Sequence, residues 1–142
     1  MRSKTAERWG VRELRAIPAF SGCTDKELAL IDSSAAHIDV PVGHVLTREG
    51  QIGRESFVVL DGTASVSIGG TEVALVGSGD FVGEMALLDN KPRTATVTAI
   101  TTMRLLVFDS RSFSTALQSN AFARRMLQGL SQRLRSIETT SA

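Results

Sequence analysis

Between residues 37 and 109 the chain breaks into short apolar runs separated by glycine, and this punctuation limits the possible folds more than any other feature. Ile38, Val40 and Val42 alternate with Asp39 and Pro41, and residues 43–47 make a further short strand. Residues 48–55 are a polar turn containing Gly50 and Gly53. A strand over 56–60 meets Asp61-Gly62, a tight hairpin signal, and residues 64–68 alternate with period two. Gly69-Gly70 is a second hairpin turn. It leads to a strand over 71–76 and the turn Gly77-Ser78-Gly79-Asp80. Two more strands are predicted over 94–100 and 104–108. Short strands at even spacing, joined by glycine turns, predict a mainly β domain built as an antiparallel barrel or jelly roll. Gly50, Gly62 and Gly79 read as backbone requirements of that fold rather than ligand contacts.

Helical signals flank the strands. Residues 5–17 have loose helical spacing ending at Pro18, with Trp9 packing the helix against the body of the domain. Thr24-Asp25-Lys26-Glu27 is a capping box, and Leu28, Ile31 and Ala35 form the inner face of a second helix. After the strands, Asp109 or Ser110 caps a short helix whose Phe113, Ala116 and Leu117 face inward. Asn120 is expected to cap a last, long helix. Phe122, Met126, Leu130, Leu134 and Ile137, with Leu127, form its apolar stripe. At 142 residues the chain is one domain, with N-terminal helices over 1–36, a barrel over 37–109 and C-terminal helices over 110–138.

Composition narrows the function classes. A net charge of +1 gives no electrostatic case for nucleic acid or an anionic membrane. No apolar run approaches a membrane span, and the lone Cys23, read as a small buried residue, fits a reducing compartment. The expected location is the cytoplasm. His37 and His44 stand without neighbouring ligand residues and read as surface or turn histidines. No metal or resident cofactor is expected. No histidine cluster, activated nucleophile or paired carboxylate points to an enzyme.

The chemistry concentrates in residues 83–95, Gly-Glu-Met-Ala-Leu-Leu-Asp-Asn-Lys-Pro-Arg-Thr-Ala. Gly83 opens one helical turn, whose first N–H groups lack helical partners and can face an anion. Arg93 adds a planar five-donor cation suited to phosphate, and Glu84 is an acceptor able to hold hydroxyls. Together they describe a sugar-phosphate site. Gly-Glu-Met-Ala-Leu-Leu followed by Pro-Arg-Thr-Ala resembles the phosphate-binding cassette of cyclic nucleotide-binding domains. That family includes catabolite-activator-type regulators and the regulatory subunits of cyclic-nucleotide-dependent kinases. Residues 46–50 and 57–66 extend the resemblance upstream.

The resemblance implies a double-stranded β-helix fold and a cyclic nucleotide ligand, cAMP more readily than cGMP. It implies that Arg93 pairs the phosphate oxygens, that backbone N–H groups near Ala86 and Leu87 and of Ala95 complete the cradle, and that Glu84 accepts from the ribose 2′-OH. Gly83 lets the backbone approach the ribose, and the ligand-binding set is Val82, Gly83, Glu84, Met85, Ala86, Leu87, Arg93, Thr94 and Ala95. Met85, Leu87 and Leu88 are expected to be core residues of the turn, and Lys91 solvated. Thr94 admits either ligand. Base contacts are expected from the last helix, with Arg125, Gln128, Ser131 and Gln132 as candidates. Relatives dimerise through this helix, which implies a homodimer and an effector protein of unknown identity. Five residues follow Ile137, too few for a helix-turn-helix, so a sensor that does not read DNA is expected. The alternative is a degenerate fold that serves only as a protein-interaction module.

Overall fold

The computed structural model describes the backbone of residues 4–5 and 9–141, and the side chains of residues 9–84 and 87–132. The strands in chain order are β1 (Lys4–Thr5), β2 (Ala36–Val40), β3 (Val45–Thr47), β4 (Ser56–Asp61), β5 (Ala64–Ile68), β6 (Thr71–Val76), β7 (Phe81–Val82), β8 (Thr96–Ala99) and β9 (Met103–Phe108). The helices are α1 (Val11–Arg15), α2 (Asp25–Ser34), α3 (Glu84–Asp89), α4 (Ser110–Ala116) and α5 (Asn120–Ser141), with a 3₁₀ turn at Pro18–Phe20. Two antiparallel sheets face each other, ordered β1-β2-β9-β4-β7 and β3-β8-β5-β6. The predicted jelly roll with flanking helices is the fold observed.

The first sheet is buried on both faces. Val58, Leu60, Leu106 and Phe108 point to a cluster shared with the helices, including Leu28, Ile31, Phe113 and Phe122. Phe57, Val59, Leu105 and Val107 point to the second sheet, against Val40, Val82 and Val97. Burial on both faces explains why residues 56–60 read as one continuous run rather than an alternation. The second sheet has only its inner face covered, and its edge strand β6 is exposed on both faces along most of its length.

Local signals hold in most places. Thr24 and Glu27 form the capping box, with N–H···O distances of 3.1 and 2.8 Å. Asp109 caps α4 through the Ser112 N–H at 2.8 Å. Cys23 is buried, its Sγ 3.5 Å from the Ser119 hydroxyl. Gly69 and Gly70 both have positive φ and turn the β5–β6 hairpin.

Five expectations are corrected. The helix over 5–17 is not continuous: Thr5 pairs with β2 in a strand, Trp9 and Gly10 are not helical, and α1 starts only at Val11, residues 6–8 lying outside the described residues. Trp9 still packs on the domain, with the Arg104 guanidinium 5.6 Å from its ring centre. Val42 does not continue β2: it lies beyond the strand end in a turn between Pro41 and Gly43 and is exposed. Asp61-Gly62 is not a hairpin. There the chain crosses from one sheet to the other, and Gly62 has φ +97° where a side chain would strike Thr102 and Met103. His37 is not on the surface: it is 3% exposed, with Nε2 2.7 Å from Asp32 Oδ1 and Nδ1 accepting the Trp9 N–H at 3.4 Å. The cap of α5 is Ser119, whose hydroxyl accepts from the Phe122 N–H at 3.2 Å, and Asn120 is the first helical residue.

Phe122 is the anchor of α5. Its ring lies 5.9 Å from Phe20, 5.4 Å from Phe81 and 5.8 Å from Phe108. Phe81 belongs to β7, the strand that delivers the cassette, so the long helix and the cassette share one aromatic cluster. Met126 is buried one turn later, Leu130 is half-buried, and Leu127 is exposed. The side chains of Leu134 and Ile137 lie outside the described residues.

Candidate functional site

The cassette is carried by β7, which pairs with β4 through Val82–Phe57 and Phe81–Val58. Val82 is buried between the sheets. Gly83 then adopts φ +78°, a conformation that favours glycine, and turns the chain into α3. Glu84 opens α3 and is 1% exposed. Glu84 and the three residues after it form the first turn, whose N–H groups precede the helical hydrogen-bond ladder. Asn90, with φ +56°, ends α3, and the Asp89 carboxylate accepts the Lys91 N–H at 3.0 Å.

Arg93 returns to the start of this turn. Its Nη1 donates to the Gly83 carbonyl at 2.9 Å and its Nη2 to the Glu55 carbonyl at 2.5 Å. Among the described residues these bonds use two of its five N–H donors. Burial pulls the Arg93 pKa below the usual guanidinium value, opposed by the nearby carboxylates of Glu55 and Glu84. The guanidinium lies against both Gly53 and Gly83, so that a Cβ at either would collide with it. Gly83 needs its positive φ, whereas Gly53 is glycine for the room it leaves.

The loop over 48–55 also holds the backbone of the cassette exit. Gly50 N–H donates to the Arg93 carbonyl at 2.9 Å, and Arg93 N–H donates to the Gln51 carbonyl at 2.8 Å. The Thr47 hydroxyl donates to the Ala95 carbonyl at 3.0 Å, and Glu49 N–H donates to the Thr96 hydroxyl oxygen at 3.0 Å. A polar cavity of about 520 Å³ opens beside Arg93, lined by Thr47, Gln51, Gly53 and Glu55 among others.

The fold therefore brings Gly83, Glu84 and Arg93 together, with Val82 preceding them on β7 and Ala95 held by Thr47 two residues beyond Arg93. Thr94 is at the exposed edge of this group, and Lys91 is exposed. Leu87 is half-buried against the helical core. Leu88 is 51% exposed, because a six-residue helix presents one face to the domain and Leu88 lies on the other. The side chains of Met85 and Ala86 lie outside the described residues. Arg125, Gln128, Ser131 and Gln132 are exposed on α5, which packs against the 3₁₀ turn. Sequence alone does not mark Gly53 or Glu55 as part of the site. Gly53 looks like any turn glycine there, and only the folded position of Arg93 gives it a role.

Residues 37–120, more than half of the chain, match the family model for the cyclic nucleotide-binding domain. The chain belongs to that family. A cyclic nucleotide-gated potassium channel of Mesorhizobium japonicum is 37% identical over 105 residues, which are 74% of this chain and 29% of the channel. A second such channel, from Rhizobium etli, is 37% identical over 91 residues, 64% of this chain and 25% of the channel. The chain thus spans less than a third of the length of these relatives. The catabolite activator protein of Thermus thermophilus superposes with a TM-score of 0.73 at 27% identity, over 87% of this chain and 61% of that one. This cyclic nucleotide-binding family comprises sensor domains. Among the described residues, no helix is long and apolar enough to cross a membrane, and no cluster of three or more His, Cys, Asp or Glu side chains could hold a metal ion.

Proposed function

We propose that this domain is a regulatory receptor, not a catalyst, that binds one 3′,5′-cyclic nucleotide at the cassette, with cAMP preferred to cGMP. The observation that carries the proposal is the Arg93 guanidinium docked over Gly53 and Gly83, near the buried Glu84 that follows Gly83. This geometry supports Arg93 as the partner of the phosphate oxygens, through donors not used on Gly83 and Glu55. The first-turn N–H groups of α3 and the Ala95 N–H surround the same anion, Glu84 accepts from the ribose 2′-OH, and Thr94 lies beside the base. Arg125, Gln128, Ser131 and Gln132, exposed on α5, are the candidates for the remaining base contacts. Two or three charge-assisted hydrogen bonds of about 1.5–3 kcal/mol each, with base burial, suit micromolar affinity, near −8 kcal/mol.

The preference for cAMP draws on similarity to a cAMP-activated transcriptional regulator of Mycobacterium tuberculosis, 27% identical over 82% of this chain. Calorimetric titration with each nucleotide tests the reading. Heat with cAMP, and weaker heat with cGMP, is expected. Silence with both at millimolar ligand would overturn it and favour a protein-interaction module. Arg93→Lys keeps the charge but loses the planar fork, so affinity should fall at least about tenfold. Unchanged affinity would mean that the phosphate sits elsewhere.

A further inference from the structure

We propose that Thr47 is a positioning residue for the nucleotide phosphate: its buried hydroxyl pins the Ala95 peptide and fixes the corner where the arginine half of the cassette enters β8. This rests on the receptor reading above. The first observation is one of register. Val45 pairs with Thr98, and a regular antiparallel ladder would then set Thr47 opposite Thr96. Instead the register shifts within β3 and Thr47 stands opposite Val97. A bulge of this kind re-aims a side chain. Here it turns Thr47 onto the inner face of the second sheet, in a row with Val97, Val66 and Ala74 across four strands.

The second observation is chemical. The rest of this row is apolar, and Thr47 is only 6% exposed. A hydroxyl there is costly unless it is hydrogen-bonded, so an aliphatic side chain of the same shape would pack as well. The hydroxyl spends its one hydrogen on the Ala95 carbonyl. That bond is the buried end of a seam. Its other members are Glu49 N–H to Thr96 Oγ1, Gly50 N–H to Arg93 O and Arg93 N–H to Gln51 O. Arg93 and Ala95, two groups proposed to meet the phosphate, are thereby held to one loop before ligand arrives. Preorganisation of this kind raises affinity by removing the cost of ordering the site on binding.

The test uses the whole chain. Thr47→Val keeps shape and removes the hydroxyl, Thr47→Ser keeps the hydroxyl, and Ile31→Val lowers stability from the distant helical core. In calorimetry with cAMP, Thr47→Val should bind about tenfold more weakly than the parent, and Thr47→Ser within about twofold of it. Ile31→Val should bind as the parent does. In the ligand-free protein, amide exchange at Gly50 and Arg93 should quicken in Thr47→Val and not in Thr47→Ser. A Thr47→Val protein with parental affinity, or a Thr47→Ser protein as weak as Thr47→Val, would overturn the proposal while leaving the receptor reading intact. A parent chain that takes up neither cAMP nor cGMP would overturn the receptor reading, and the phosphate role of Thr47 with it.

Discussion

The Arg93 slot has two glycine walls. At Gly83 an added side chain would suffer both from φ +78° and from the guanidinium. At Gly53 φ is ordinary and the nearest atoms are all of the guanidinium, so Gly53→Ala tests the effect of displacing it. We expect that variant to fold, and its cAMP affinity to fall at least about tenfold, or about 1.4 kcal/mol, in a calorimetric titration run beside a thermal melt. Glu84 and Arg93 were legible in the sequence because their residue types and spacing are uncommon together. Gly53 was not, because the side chain that needs its space arrives from a segment far along the chain. His37 was misjudged for a similar reason: its partners Asp32 and Trp9 lie on other elements.

At the level of elements, α5 is anchored in the helical core through Phe122 and Met126. Phe122 touches three rings, among them Phe81 of β7, immediately before the cassette. Phe122→Ala should cost about 3–5 kcal/mol in denaturant unfolding. The two charged caps give a second prediction. The Ser112 backbone N–H, then its hydroxyl, holds the Asp109 carboxyl below its ordinary range, and the Thr24 backbone N–H does the same for Glu27. A carboxylate whose pKa is depressed by folding adds stability that is complete above its unfolded value, about pH 4, and is lost as pH falls through the folded one. Melting temperature should therefore drop on acidification below about pH 4. Asp109→Asn, which caps without titrating, should drop less steeply. These caps were readable from sequence because they are local. The crossing at Asp61-Gly62 was not, because a positive-φ glycine after aspartate serves a hairpin and a change of sheet equally well. Only the pairing of β4 with β9 decides between them.

For the whole molecule, the predicted jelly roll was legible from the glycine-spaced strands, and the inner faces of α2 and α4 from their helical spacing. Beyond Met126, α5 carries Leu127 at 59% exposure and a half-buried Leu130. A Cβ at Gly129 would meet nothing within 4 Å, so that side of the helix is open. We propose that this length of α5 pairs with its counterpart in a second copy. Light scattering should then give twice the chain mass for the parent and a single chain mass for Leu127→Glu. Equal masses for the two proteins would remove α5 from the interface.

The Trp9–Arg104 contact has one more consequence. Trp9 is the single tryptophan and the chain has no tyrosine. Its indole rests on a guanidinium, and its amide is tied to His37, at the junction between β1 and α1. Tryptophan emission from this protein therefore comes from one known place. The unmodified chain is its own optical probe, and any nucleotide-driven shift of the N-terminal segment can be followed in real time without attaching a dye.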